Sequence, residues 1–396
     1  MIFADLQPAK ADGIMAVMQA FRADPREYKL DLGAGVYLDE SGHAPVMQAY
    51  QQGEQRLLKT QTTKAYVGVR GSHGFCQHIA DLALGPELAR SDRQASFQTT
   101  GGSGALRILA ELIALTRPGC RIWMSDPTWP NHAPIMQAAG LEQSIYPYFD
   151  SKTGSLRFDA MMQTLRDSAV GGDIILLHAS CHNPTGVNPS LEQWQELASM
   201  IAERGLVPFF DNAYQGFGDG LDQDRQALQI MAAKVPEMLI AGSCSKNFAC
   251  YRERTGYATI IADHAKLTNL ALQHALAVAR AIYSMPPDHG AHVVQIILGD
   301  PQLRTIWRKE LGDMRQRMLD LRKGLADRLR IATNTSRFDF LAHHRGMFSQ
   351  TGLGAVRVQK LASDFAIYLV GEGRMNIAGL REDRLDDLAT AIARVL

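Results

Sequence analysis

Three short apolar runs of this 396-residue sequence, and a fourth segment at Phe97–Thr100, each lead into residues that could bind or transform a small molecule. Phe97–Thr100 precedes the glycine-rich Gly101–Gly104. The apolar runs are Ile174–His178 before the amide of Asn183, Leu206–Phe210 before the carboxylate of Asp211 and the phenol of Tyr214, and Met238–Ala241 before Ser243 and Lys246. Apolar runs of this length, bounded by polar or glycine residues, are typical of buried strands. Because ligands bind beyond the carboxyl ends of the strands in a doubly wound sheet, we expect all four groups to meet in one site.

Lys246 could form a covalent bond with a carbonyl compound. A lysine among small residues at the floor of a cleft must be solvated, paired or reactive, because burying an isolated ammonium is costly. A desolvated lysine near another cation has a lowered pKa and attacks carbonyl groups. Arg254 could supply that positive charge and also bind a phosphate. A lone lysine is more often a surface residue, so the catalytic interpretation depends on the neighbouring groups.

The glycine-rich segment Gly101–Gly104 and Asp211 could each bind part of a charged cofactor. Gly101–Gly104 lacks the third glycine of a dinucleotide fingerprint, but it allows close backbone approach at the start of a helix predicted from Ala105. The N–H groups of a helix N-terminus favour an anion, and a plain glycine-rich turn is an equally good interpretation. Asp211 adjoins two phenylalanines and needs a cationic or N–H partner, such as a protonated pyridine nitrogen. A single Asp in this position is more often a turn former or a helix cap.

The elements that must position these groups alternate along the chain. Between the runs at 174–178 and 206–210, the segment Leu191–Ile201 places its apolar residues on one helical face. Strand, helix and strand in alternation predict an α/β fold, in which a three-layer, mostly parallel sheet is covered by helices on both sides.

A second and smaller unit is expected beyond residue 310. Long amphipathic helices are predicted around Leu311–Leu329 and Arg384–Val395, with short strands between them. The turn-rich first forty-five residues are expected to join this unit. We therefore predict a large domain over residues 46–309 and a smaller α+β domain over residues 1–45 and 310–396.

Composition and charge restrict the partners of the chain. Its 41 basic and 41 acidic residues cancel, so neither nucleic acid nor an anionic membrane is an expected partner. No run reaches the roughly 18 apolar residues of a membrane span, and the first fifteen residues lack the apolar core of a secretory signal. Five scattered cysteines without C-x-x-C spacing fit reduced thiols in the cytoplasm. His178 and His182 lack the glutamate of a zinc-protease motif, so no metal site is expected.

Taken together, these residues resemble the class I aminotransferases, and more narrowly the group that acts on aspartate and aromatic amino acids. The resemblance covers nearly the whole chain. The motifs that carry it are Ser243–Phe248 with Arg254, His182–Gly186, Asp211–Phe217, Ser125–His132, Arg280–Gly290, Arg345–Ser349 and Gly373–Gly379. It implies a pyridoxal 5′-phosphate enzyme of fold type I. Such an enzyme transfers an amino group by a ping-pong mechanism between an amino acid and a 2-oxo acid, such as 2-oxoglutarate or oxaloacetate.

The resemblance also implies roles for residues around the cofactor ring. Lys246 would hold the cofactor as a Schiff base. After its release by the substrate amine, Lys246 would move the proton between the substrate Cα and the cofactor C4′. Asp211 would hold the protonated pyridine nitrogen, with His132 behind it. Tyr214 and Asn183 would hydrogen-bond the 3′-oxygen.

Another set of residues is assigned by the resemblance to the phosphate and the substrate of a homodimer with shared active sites. The phosphate would be bound by Gly101, Gly102, Ser103, Ser243 and Arg254, together with Tyr66 of the partner subunit. Trp129 would stack on the ring and, with Gly35 and Asn183, contact the substrate. Arg374 would bind the substrate α-carboxylate. Arg280 of the partner subunit would bind the distal carboxylate of aspartate, glutamate or 2-oxoglutarate.

Several of these residues have simpler alternatives. Trp129 could belong to the core, and Arg280 and Arg374 could be surface ion-pair partners, as arginines most often are. His178, His182 and His289 are expected to be structural rather than catalytic.

Selectivity within the group is expected to depend on a few positions around the substrate, which here are Leu38, Ala44, Ala65, Ser103 and Met285. Four of these five are apolar or small, which leaves room for an aromatic ring. Because Arg280 is retained, dicarboxylates should also be accepted. We therefore favour an aromatic amino acid aminotransferase, with a strictly aspartate-selective enzyme as the alternative. Ala249 occupies a position where the family more usually has glycine.

Other functions fit parts of the sequence less well. Ser243–Lys246 satisfies the S-x-x-K motif of penicillin-recognising enzymes, but the K-T-G at Lys152–Gly154 lies upstream and no S-D-N occurs. The segment after Thr100 misses the G-x-S-x-G nucleophile elbow, because Ala105 stands where glycine is required. A non-catalytic relative is not supported, since every expected catalytic position is filled. A lyase or decarboxylase is disfavoured by Arg280, because a second carboxylate clamp suits a transaminase.

Overall fold

The computed structural model of the protein describes residues 1–8 and 13–396. Within these residues its thirteen strands are β1 (Leu30–Asp31), β2 (Gln94–Thr100), β3 (Arg121–Asp126), β4 (Glu142–Pro147), β5 (Phe149–Asp150), β6 (Ser155–Leu156), β7 (Ile174–His178), β8 (Val207–Asn212), β9 (Met238–Ser243), β10 (Thr255–Ile261), β11 (Phe348–Gln350), β12 (Ile367–Tyr368) and β13 (Arg374–Asn376). The fifteen α-helices of the same residues are α1 (Gly13–Ala23), α2 (Gln48–Thr60), α3 (His73–Leu84), α4 (Pro86–Ala89), α5 (Gly101–Thr116), α6 (His132–Ala138), α7 (Phe158–Ser168), α8 (Leu191–Arg204), α9 (Leu221–Asp224), α10 (Gln226–Ala232), α11 (Ala265–Tyr283), α12 (Asp288–Gly299), α13 (Pro301–Thr333), α14 (Ala355–Phe365) and α15 (Leu385–Val395). None of the helices in this described part is both long and apolar enough to cross a membrane.

A seven-stranded sheet forms the centre of the molecule, with the strand order β2-β10-β9-β8-β7-β3-β4. Its strands are parallel except β10, which runs antiparallel to both of its neighbours, β2 and β9. Both faces are buried: the adjacent Phe209 and Phe210 of β8 point to opposite sides and belong to two different apolar clusters. Helices α5 and α11 contribute to one cluster, and α7 and α8 to the other. The predicted three-layer, mostly parallel α/β sheet is therefore confirmed.

Helix α5 begins earlier than the sequence pattern predicts. The apolar periodicity starts at Ala105, whereas the helix starts at Gly101, so that Gly101–Gly104 is its first turn. The apolar pattern marks where the helix contacts the core, and the hydrogen-bonded turn before it carries no such pattern. At Gly104 a Cβ would lie 2.3 Å from Thr100 Oγ1, which explains a glycine there.

Helix α13 is a single continuous helix of 33 residues. It begins ten residues before the predicted Leu311, at a cap in which Asp300 accepts hydrogen bonds from the N–H groups of Gln302 and Leu303. Along the chain it is followed by the short strand pair β11–β13 and by β12, which pairs in parallel with β1 from the N-terminal part of the chain. Arg317 of α13 donates hydrogen bonds to the carbonyl groups of Leu38 and Leu380.

Candidate active site

A cavity of about 220 Å³ lies at the carboxyl ends of β7, β8 and β9, beside the first turn of α5. It is lined by ten of the residues predicted to form the site: Gly35, Gly102, Ser103, Trp129, Asn183, Asp211, Tyr214, Ser243, Lys246 and Arg254. Three larger cavities elsewhere among the described residues have no lysine in their walls. The carboxyl edge of the sheet thus brings the predicted groups together, as expected for a doubly wound fold.

Asp211 lies near the end of β8, with 11% of its side chain exposed. It accepts a hydrogen bond of 3.0 Å from Nε2 of the fully buried His132, whose Nδ1 lies 2.8 Å from Thr128 Oγ1. Burial alone would raise the pKa of Asp211, but the hydrogen bond from His132 and nearby positive charges, including Lys246, lower it below its usual value. Asp211 is therefore a carboxylate held in place to pair with a cation.

Two further histidines fill the space behind His132. His178 and His182 lie with their ring centres 4.2 Å apart, and His182 stacks on Tyr148 at 3.9 Å. Burial, assisted by the neighbouring imidazoles, lowers the pKa of His178 to about 3 and that of His182 well below its usual value. Both rings are therefore neutral, and they support His132 by packing.

Lys246 points across the cavity, with Nζ 4.9 Å from the centre of the Tyr214 ring. Burial lowers the pKa of Lys246; the Asp211 carboxylate opposes this shift, and the Arg254 charge adds to it. The net shift is downward, which increases the fraction of the amine that can act as a nucleophile.

The loop after Lys246 is anchored on α13. The indole N–H of Trp307 donates to the carbonyl of Asn247 at 2.7 Å, and Phe248 stacks on Trp307 with ring centres 4.6 Å apart. Ala249 then adopts φ +50°, a left-handed conformation that glycine takes without strain. This backbone geometry accounts for the glycine that the family more usually has at this position.

Tyr214 and Asn183 form a polar pair on the other side of the cavity. Asn183 Nδ2 donates to the Tyr214 hydroxyl at 3.3 Å, while the buried Asn183 Oδ1 has no hydrogen-bond partner among the described residues. Burial and the Asp211 charge raise the pKa of Tyr214, so its hydroxyl keeps its proton. A ligand oxygen that accepts a hydrogen bond would fit beside this pair.

The first turn of α5 forms an anion cradle with Ser243 and Arg254. Gly101 has φ +70°, and a Cβ there would lie 2.6 Å from Arg254 Nη2; a Cβ on Gly102 would lie 3.1 Å from Ser243 Cβ. Glycine at position 101 takes this left-handed conformation without strain and leaves room for the guanidinium. The N–H groups of a first helical turn have no acceptors within the helix, so they can bind a phosphate.

Trp129 lines the cavity, whereas Arg374 lies near Tyr214 outside the cavity wall. The partly buried Trp129 lines it and meets His132 edge to face at 5.3 Å. Arg374 is only 5% exposed, donates to the carbonyl of Gly33 at 2.8 Å and lies over the Phe348 ring at 4.4 Å from its centre. Its charge acts on the pKa of Tyr214, so a cation is close to the phenol although Arg374 does not line the cavity wall.

Tyr66 and Arg280 are not brought to this cavity. Tyr66 is 91% exposed, in a segment without regular structure, and Arg280 is exposed in the last turn of α11. Their two segments meet each other, because the N–H of Val67 contacts Met285 Sδ at 3.2 Å.

Four cavity residues are absent from the sequence prediction: Leu106, Ala213, Ser245 and Tyr251. Ser245 and Tyr251 both bind Arg254, through a hydroxyl at 3.4 Å and a carbonyl at 3.0 Å respectively. The Tyr251 hydroxyl also accepts a hydrogen bond from the N–H of Tyr37 at 2.9 Å. Their closeness in sequence to Arg254 and Lys246 was the available signal. Leu106 and Ala213 carry no chemistry that could have marked them.

Comparison with known proteins shows to which family the chain belongs. Residues 27–392 match the family model described as aminotransferase class I and II. The aromatic-amino-acid aminotransferase of Paracoccus denitrificans is 46% identical, and the aspartate aminotransferase of Salmonella typhi is 42% identical, each over all of both chains. A crystal structure of the Burkholderia pseudomallei aromatic-amino-acid aminotransferase, covalently bound to pyridoxal phosphate, superposes with a TM-score of 0.97 at 38% identity and covers all of both chains.

The fold and the cavity together define a pyridoxal-phosphate enzyme of fold type I. A cavity that combines a carboxylate for a pyridine nitrogen, a lysine and an anion cradle fits that cofactor. The chain belongs to the class I and II aminotransferases, and it is a transaminase.

Proposed function

We propose that this transaminase moves amino groups between aromatic amino acids and a 2-oxo acid such as 2-oxoglutarate, and that it also accepts aspartate and glutamate. The observation that carries the aromatic preference is the contact of the Met285 thioether with the N–H of Val67, two residues after Ala65 in the chain. A small residue and a polarisable one offer an aromatic ring space and dispersion contact. Relatives named for aromatic amino acids share 46% identity with the chain, which supports the same preference.

Within the cavity we assign the ring-binding roles to the groups described above. Pyridoxal phosphate, when bound, acts as an electron sink for the substrate Cα. Lys246 would hold the cofactor covalently and, with its amine free, would carry a proton to and from the substrate Cα. Asp211, fixed by His132, would keep the pyridine nitrogen protonated. Tyr214 and Asn183 would hydrogen-bond the 3′-oxygen.

The phosphate and the substrate occupy opposite ends of this arrangement. The residues assigned to the phosphate are Gly101, Gly102, Ser103, Ser243 and Arg254. Arg374, steadied by Gly33 and Phe348, binds the substrate α-carboxylate, and a charged hydrogen bond of this kind contributes about 1.5–3 kcal/mol. Trp129 and Asn183 contact the cofactor, and together with Gly35 they contact the substrate.

We further propose a homodimer in which each active site is shared. Tyr66 of the partner subunit would reach the phosphate, and Arg280 of the partner subunit would bind the distal carboxylate. The exposure of both side chains, on segments that touch each other, supports a surface that meets a second copy.

The two-domain division is also proposed. Residues 46–309 would form the large domain, and residues 1–45 with 310–396 the small one. The pairing of β1 with β12 supports the joining of the two chain ends. The boundary at 309–310 falls inside α13, so the domains would be connected by a helix rather than a flexible linker.

A cytoplasmic location is supported by the five cysteines, all buried and unpaired.

The substrate preference is tested by steady-state kinetics with 2-oxoglutarate as acceptor. Phenylalanine or tyrosine should give a kcat/KM within about tenfold of that for aspartate, a difference of roughly 1.4 kcal/mol in transition-state stabilisation. Activity confined to aspartate and glutamate would replace the proposal with the strictly aspartate-selective alternative.

A further inference from the structure

Arg322 is a fully buried arginine on the inner face of α13. Its exposed fraction is 0%, and it is the one charged residue among the buried positions of that helix, between Leu321 and Leu325. Arginine is almost never fully buried without a partner, because removing its charge from water is costly. Among the described residues no carboxylate pairs with it.

The guanidinium binds neutral oxygens instead of a carboxylate. It donates to the carbonyls of Gly346 at 2.7 Å and Phe348 at 2.8 Å, to Ser349 Oγ at 2.5 Å and to the carbonyl of Leu341 at 3.4 Å. Burial lowers its pKa to about 9, and it remains protonated at neutral pH. Its Nε has no acceptor among the described residues. For stability alone, an apolar side chain of similar volume would often serve as well.

Arg322 binds the segment Gly346–Ser349, and Phe348 of this segment lies beneath Arg374. Phe348 begins β11, which pairs with β13, so that Gln350 lies opposite Arg374 in the register. The Phe348 ring lies under the Arg374 guanidinium at 4.4 Å and meets the Tyr214 ring edge to face at 6.1 Å. The backbone of Phe348 is therefore fixed by one arginine, while its ring supports another.

The same segment also packs against the loop that carries Asn183. The N–H of Arg345 donates to the carbonyl of Gly186 at 2.8 Å, and a Cβ on Gly186 would lie 2.4 Å from the Phe348 carbonyl oxygen. A shift of the segment would thus either strike this loop or withdraw the ring from Arg374. Small displacements of a binding group are enough to weaken its contact with a ligand.

We infer that Arg322 is a positioning residue for the carboxylate clamp: by binding the carbonyls of Gly346 and Phe348, it fixes the phenyl ring on which Arg374 lies. The inference rests on the role proposed above for Arg374. It predicts a defect confined to ligands that carry the carboxylate, whereas a purely structural role would affect all ligands alike.

The test compares two probes of the holoenzyme, 3-phenylpropionate and its neutral counterpart 3-phenyl-1-propanol, by equilibrium titration. Arg322→Met should weaken binding of the acid by about tenfold or more and leave the alcohol within about twofold. Arg322→Lys, which offers fewer donors in a different geometry, should fall between Arg322→Met and the unsubstituted enzyme. The visible absorption of the bound cofactor should be unchanged in both variants.

Two further variants make the result decisive. Met318→Ala, at a buried site on the same helix, lowers stability through a cavity without touching the carbonyls, and should leave the acid-to-alcohol ratio unchanged. Arg374→Ala should abolish the preference for the acid.

If Arg374→Ala does so and neither Arg322 variant changes the ratio, the inference is overturned and the proposed role of Arg374 stands. If Arg374→Ala leaves the ratio unchanged, the proposed clamp fails, and the inference with it. If Arg322→Met does not fold, Arg322→Lys alone decides, and an unchanged ratio overturns the inference.

Discussion

The predicted site residues lie in two contrasting regions of the molecule. Asp211, Tyr214 and Lys246 stand on the carboxyl edge of a sheet buried on both faces, where burial and neighbouring charges shift their pKa values. Tyr66 and Arg280 lie in the solvent, on a loop and at a helix end. Groups that need an unusual protonation state require a rigid, poorly hydrated frame, whereas groups that complete the site of another subunit must project from their own.

The largest effect is expected from the buried region. On the role proposed for Lys246, the substitution Lys246→Ala would remove both the covalent anchor and the proton carrier, so activity should fall by roughly 10⁴-fold or more. The purified variant should also lack the visible absorption band of the covalently bound cofactor. Lys309→Ala is a matched control, because that lysine is exposed and pairs with Asp313 on the surface. A yellow and active Lys246→Ala protein would contradict the assignment of the lysine.

The exposed region should show a selective defect. Arg280→Ala is expected to reduce kcat/KM for dicarboxylic substrates by about a hundredfold, roughly 2.7 kcal/mol, and to spare phenylalanine. Equal losses on both substrates would show that Arg280 does not bind the distal carboxylate.

An experiment that mixes two variant chains tests whether Arg280 acts across subunits. It therefore tests whether the exposed residues serve a different subunit from the buried ones. In a hybrid of Lys246→Ala and Arg280→Ala chains, one site receives both an intact lysine and an intact arginine. Co-refolded mixtures should therefore regain dicarboxylate activity, up to about a quarter of the unsubstituted level for random pairing. No recovery would mean that both residues serve the site of the same chain.

Arg254 belongs to both regions, because it is exposed yet lines the cavity. Its charge lowers the pKa of Lys246, so Arg254→Gln should raise that pKa. The apoprotein should then need a higher pH to react with pyridoxal, a probe that carries no phosphate. The midpoint is read from visible absorbance against pH, with Arg252→Gln, two residues earlier and also exposed, as control. A midpoint that stays or falls would count against this electrostatic coupling.

The smallest effect concerns the loop that joins Lys246 to the rest of the chain. Ala249→Gly should relieve the left-handed backbone and raise the free energy of unfolding by about 1 kcal/mol. In contrast, Ala277→Gly, at an exposed position inside α11, should lower it by about 0.5–1 kcal/mol. Chemical denaturation measures both, and destabilisation by Ala249→Gly would contradict the strain.

The buried region could be predicted from the sequence more completely than its surroundings. Each catalytic candidate follows an apolar strand, and strand ends of a parallel sheet share one edge, so Asp211 and Lys246 could be paired without a structure. The sequence pattern predicts the start of α5 at Ala105 instead of Gly101, because a glycine turn carries no apolar period. Arg322 could not be recognised, since an arginine in an amphipathic helix normally faces water and only the fold turns this one inward.

Helix α13 gives the molecule a common mechanical axis. Its 33 residues extend about 50 Å. Three of its side chains donate hydrogen bonds to backbone carbonyls near the site: Trp307 to the Lys246 loop, Arg317 to Leu38 and Leu380, and Arg322 to the backbone below Arg374. A rotation or axial shift of α13 therefore moves all three attachments at once. A substitution that changes the pitch of α13 far from the cavity would displace the whole site while leaving every catalytic side chain intact.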